Sequence, residues 1–207
     1  DMKELINKIG TFCIKRLAEF IGFIIVIISI FLFISLISYS PEDPNFIFPE
    51  NTSIKNLMGF KGSFVSDLLF QSFGLVSVLI PFTFFFTGLS VMVTKKFLFI
   101  IENSFFIVLY VLFGSLFFST FHEESYWLII NNNNGFIGDL YSDTFIIDLI
   151  KNSIDISYYV LIVLVFLLFF KSLNFKIRYI LNILKSFYFL LRKKNEIKNT
   201  TTRTDNE

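Results

Sequence analysis

FIGFIIVIISIFLFISLI, residues 20 to 37, carries no charge and no proline over 18 positions. A helix of that length rises about 27 Å, close to the roughly 30 Å hydrocarbon core of a bilayer. The stretch is too long for the apolar part of a cleaved leader and no small-residue cleavage site follows, so it predicts a retained transmembrane helix over 20–38. Before it, residues 1–19 alternate Lys3, Lys8, Lys15 and Arg16 with Ile6, Ile9, Phe12, Ile14 and Leu17. That pattern predicts a cytoplasmic amphipathic lead-in at the membrane surface.

The rest of the chain repeats the theme. Of 207 residues, 54% are hydrophobic and 31 are Phe, more apolar surface than a soluble domain of this size would bury. The apolar residues fall in long blocks, which predicts an all-α, polytopic membrane domain over 20–173 with four transmembrane helices and additional interfacial amphipathic helices. The second span is expected over 68–93, long enough to tilt and with a kink near Pro81. The third is expected over 97–118, joined to the second by Lys95-Lys96, so that the two form a hairpin. The fourth is expected over 154–173, preceded by a short interfacial helix in which Phe145, Ile146, Leu149 and Ile150 recur at helical spacing.

Residues 174–191 then read as a basic interfacial helix, with Lys171, Arg178, Lys185 and Arg192 seven residues apart on one stripe that faces an anionic lipid surface. A fifth span through this segment would place Lys185 at its centre, at about 2.5 to 3.5 kcal/mol on insertion scales. Residues 192–207 read as the start of a polar linker. In this arrangement only Lys55, Lys61 and Lys151 of the 18 Lys and Arg lie outside. The positive-inside rule therefore puts both ends in the cytoplasm and the loops after spans one and three outside.

Chemistry is harder to find. Cys13 is the only cysteine, which excludes an internal disulfide. His122-Glu123-Glu124 lacks the second histidine that a zincin helix needs. No G-x-x-x-x-G-K-[ST] phosphate loop occurs in the 207 residues, and no nucleophile–base set can be assembled. No catalytic residue, metal or cofactor is expected.

One region is more specific. After span one come Ser38, Tyr39, Pro41, Asp43, Pro44 and Phe46; then Asn56, Gly59, Gly62 and Asp67; then Gly74 and Pro81. This order and spacing resemble the N-terminal four-helix membrane domain of the FtsK/SpoIIIE family of bacterial DNA translocases. In physical terms the prolines fix a rigid turn, Gly59 and Gly62 permit bends before span two, Asp67 holds the start of an external helix, and Gly74 permits close helix approach. The Asn131–Asn134 run departs from the family pattern.

The resemblance implies a multi-pass protein of the bacterial inner membrane, sited at the division septum. It would anchor a cytoplasmic ATP-driven DNA motor that is not in this chain, serving cell division and chromosome partition. Its partners would be the lipid bilayer and other cell-division membrane proteins, with a homo-oligomer left open and no direct nucleic-acid binding by this segment. The competing reading is a small transporter or channel subunit, which would need polar groups along a pathway through the spans.

Overall fold

A computed structural model describes residues 2–44, 53–125, 127–128, 132–141 and 144–174. Among the described residues the regular elements are all helices, with no strand. Four helical stretches are long and apolar enough to cross a membrane, as the blocks of sequence predict.

The first helix, α1, runs unbroken from Met2 to Ile37. No proline interrupts it, so the amphipathic lead-in and span one are one helix rather than two. Near its middle, Glu19 accepts from Lys95 at 2.6 Å and from Arg16 at 2.6 Å, which ties α1 to the turn between spans two and three. About 17 residues of helix continue on the N-terminal side of that ion-pair cluster.

The second apolar block is bent. It contains α2 (Gly59–Phe73), a 3₁₀ turn (Gly74–Val78) and α3 (Leu79–Thr94). Contacts along α1 show where the membrane descent begins. On α3, Pro81 meets Ser29, Gly88 meets Gly22 and Lys95 meets Glu19, a steady antiparallel progression. On α2 the progression goes the other way: Gly62 sits at Ser35, while Phe70 packs on Leu36 and Tyr39. Eight residues of α2, about 12 Å, thus cover only about 6 Å of α1, and toward its C-terminus. The helix therefore crosses the C-terminal end of α1, and the span read over 68–93 runs back along α1 only after Gly74.

The bend lies at Gly74, not at Pro81 as the sequence suggested. Gly74 has φ +65°, which glycine adopts without penalty, and its N–H caps the Phe70 carbonyl. Ser77 then donates to the carbonyls of Leu69 at 2.8 Å and Gly74 at 2.6 Å, satisfying acceptors that the end of α2 frees. Pro81 is the third residue of α3, in the first turn, where its missing N–H has no intrahelical partner to lose.

The third span is α4 (Leu98–Phe121), entered through Lys95 at φ +60°. Short helices α5 (Gly135–Asp139) and α6 (Phe145–Lys151) precede the fourth span, α7 (Ile154–Ser172). Helices α3, α4 and α7 meet through a polar seam. The Thr83 hydroxyl lies 3.2 Å from that of Tyr110 and 2.9 Å from that of Ser172. Asn103 donates to Thr87 at 2.7 Å and accepts from Asn174 at 2.8 Å. Each polar group between the helices has a partner within the seam, which lipid could not supply.

Candidate functional site

Nine of the twelve motif residues meet at the C-terminal end of α1. Asp43 is the organiser. It is buried, and its carboxylate accepts the backbone N–H groups of Lys55 at 2.7 Å and Asn56 at 2.8 Å. The Asn56 side chain in turn donates to the Ser35 carbonyl at 2.9 Å and accepts the Met58 N–H at 3.0 Å. Ser38 accepts the Leu57 N–H at 3.1 Å, and Ser63 donates to the Pro44 carbonyl at 2.9 Å. The two sides of the loop between α1 and α2 are thereby tied to each other and to both flanking helices. Pro41 lies in the turn between Tyr39 and Asp43, where its ring fixes φ.

The glycines serve this network. Gly59 opens α2 at φ +65°, as a bend would require. Gly62 is not a bend; it lies inside α2, where an added Cβ would come within 2.5 Å of the Met58 Cβ and run into the Asn56 carbonyl oxygen. Asp67 also differs from its expected capping role. It sits in the body of α2, nearly buried, and takes hydrogen bonds from Gln71 at 2.6 Å and from the Tyr39 phenol at 3.4 Å. Burial, reinforced by the Asp67 carboxylate, pushes the Tyr39 phenol above its ordinary pKa. On the surface, the Lys55 ammonium and Glu42 carboxylate form an ion pair that lowers the Glu42 pKa and raises that of Lys55.

The loop after α4 closes over the one between α1 and α2. Leu128 is fully buried against Leu36, Tyr39 and Phe70, and Trp127 meets the rings of Tyr39 at 5.8 Å and Phe70 at 5.3 Å. Gly74 makes a close approach, though to this loop rather than to a helix: the Asn133 carbonyl accepts the Leu75 N–H at 2.9 Å and occupies the place of a Gly74 Cβ. Asn133 also donates to the carbonyls of His122 at 2.9 Å and Glu124 at 2.7 Å. The Asn run is therefore part of the cap's framework. Its signal in the sequence, polar residues ending in Gly135 before a helix, says turn but not which partner.

The remaining named residues lie elsewhere. Pro81 is inside the bundle, bonded through its carbonyl to Ser29 at 2.8 Å. Phe46 lies outside the described residues. Of the basic stripe, Lys171 occupies the last turn of α7, while Arg178, Lys185 and Arg192 lie outside the described residues, as do the segments 175–191 and 192–207. Among the described residues no three His, Cys, Asp or Glu side chains gather as a metal site. The cap is a rigid, self-bonded surface, suited to being recognised rather than to turning over a substrate.

The profile of the 4TM region of DNA translocase FtsK/SpoIIIE matches residues 14–184. The chain belongs to this family. The FtsK/SpoIIIE match runs from α1 through the cap and the fourth span, so the cap lies within the matched membrane region. The DNA translocase FtsK of Rickettsia typhi is 40% identical over 67 residues, 32% of this chain and 9% of that protein. That of Rickettsia prowazekii is 40% identical over 62 residues, 30% of this chain and 8% of that protein. The matched stretch is thus under a tenth of the length of either relative. No solved structure matches. The chain carries an FtsK/SpoIIIE membrane region, multi-pass and of the inner membrane.

Proposed function

We propose that this membrane region anchors a DNA translocase at the division septum, holding a cytoplasmic ATP-driven motor beside the closing membrane. Both termini face the cytoplasm, and the cap built on Asp43, Asn56 and Leu128 faces outward to other division proteins. The observation that carries the reading is the convergence of the family's motif residues on one rigid outer cap, since a mere hydrophobic anchor needs no such structure.

The competing transporter reading requires polar groups that line a water path. Those between the spans, Thr83, Thr87, Asn103, Tyr110 and Ser172, are bonded to one another instead. A fluorescent fusion to residues 1–207 tests septal anchoring: a mid-cell band supports it, and even distribution around a normally inserted membrane removes it. Orientation is read separately, by an impermeant maleimide on Glu123→Cys in a Cys13→Ser background. Labelling in intact spheroplasts places the cap outside; labelling only after lysis inverts the topology.

A further inference from the structure

Helix α2 is amphipathic in the reverse of the usual sense. The face it turns to the protein is small and polar: Gly62, Ser63, Ser66 and Asp67 are buried there, with Phe70 at the end. Their polar groups are satisfied within the cap, as the bonds of Ser63 to Pro44 and of Asp67 to Gln71 and Tyr39 illustrate. The outward face is apolar. Leu57, just before the helix, is 75% exposed, and Phe60 and Leu68 within it are about half exposed. Water on that face would be unfavourable by about 25 cal/mol per Å² of apolar surface.

We infer that α2 is an outer-leaflet interfacial helix, with Leu57, Phe60 and Leu68 immersed in phospholipid acyl chains and Lys61 at the phosphates above them. Two observations select lipid over another occupant. The first is height: α2 crosses α1 between Ser35 and Tyr39, and α1 still presents an exposed Ile37 at that level, so the lipid-facing belt of α1 reaches the plane of α2. The second is charge: Lys61 is exposed on the same side of α2 as Leu57 and Leu68, four and seven residues away, and a lysine there can cover apolar surface with its stem while its ammonium reaches an anionic headgroup. The arrangement explains why Asp67 can occupy an apolar stretch. The carboxylate is held inside the cap while lipid meets the other face.

Spin labels on the full chain in proteoliposomes test this. In a Cys13→Ser background, Phe60→Cys and Leu68→Cys are labelled, with Phe23→Cys as the lipid reference and Glu123→Cys as the loop reference. Oxygen accessibility should exceed nickel-chelate accessibility at 60 and 68, as at 23, and the order should reverse at 123. Chelate access at 60 and 68 would show a water-exposed helix and overturn the inference. Exclusion of both agents would show a protein partner on this face and overturn it equally. If either label lowers the melting temperature in detergent, Leu57→Cys reports the same face from outside the helix. The readout is independent of cellular position, so it can fail while septal anchoring stands.

Discussion

Asp43 holds Asn56 by its main chain, through the Asn56 N–H at 2.8 Å from a carboxylate oxygen that is itself buried. The pair closes the first outer loop on the end of α1. Charge-assisted bonds of this kind contribute about 1.5 to 3 kcal/mol each. Asp43→Ala, which loses two of them, should therefore destabilise the cap by on the order of 3 kcal/mol. Tryptic cleavage at Lys55 and Lys61 should accelerate, while Asp43→Asn, which keeps the shape, should show a smaller change. Unchanged cleavage in Asp43→Ala would mean that the loop is held by something else.

Gly22 and Gly88 let α1 and α3 touch backbone to backbone. A Cβ on Gly22 would lie 2.7 Å from the Gly88 carbonyl oxygen and 2.9 Å from the Met92 nitrogen, neither of which can rotate away. Gly22→Ala should therefore cost about 1 to 3 kcal/mol, measured as a lower melting temperature in detergent. Gly10→Ala is the internal control, because nothing lies within 4 Å of its Cβ and the substitution removes helix-interior glycine. It should be neutral or stabilising.

The Thr83 hydroxyl joins three helices, and its loss can be apportioned. A double-mutant cycle of Thr83→Val with Tyr110→Phe should return a coupling of about 0.6 kcal/mol, in the range found for hydrogen bonds within membranes. The same cycle between Thr83→Val and Ser29→Ala should return none, as Ser29 bonds only to Pro81.

Base should loosen the cap. The Tyr39 phenol is raised above its ordinary value by burial and by Asp67, so its folded-state contribution is complete below about pH 10 and declines as pH rises towards the raised value. Melting temperatures measured from pH 8 to 11 should fall more steeply for the natural chain than for Tyr39→Phe. Parallel curves for the two proteins would show that the phenol does not feel the cap.

The four spans were legible because lipid imposes a simple demand, about 20 apolar residues per crossing, and residues 20–37 state it without ambiguity. That an ordered loop follows span one was also legible from Pro41, Pro44, Gly59 and Gly62, whereas Asp43 and Asn56 were singled out only by the family resemblance, without their bonds. The bend was not. Gly74 and Pro81 both look like break points, and only the positive φ at one and the first-turn position of the other distinguish them. Asp67 was misread for a related reason: hydrophobic counting cannot tell a helix crossing the end of a bundle from one running down it. Leu128 was invisible because its partners Leu36, Tyr39 and Phe70 lie more than 50 residues away, and so was the bond from Leu75 to Asn133, which joins residues 58 apart.

Gly74 and Gly135 both stand at positive φ where the two loops meet: Gly135 leaves room for the main chain of Phe73 and Gly74, and Gly74 for that of Asn133 and Asn134. A side chain on Gly135 would lie 2.7 Å from the Phe73 carbonyl carbon, and one on Gly74 would displace the Asn133 carbonyl. Neither site can compensate for a change at the other, because both already lack a side chain to trim. The two positions therefore form a single heritable unit: descendants of this chain can vary the outward surface of the cap, while the seam beneath it is closed to stepwise drift.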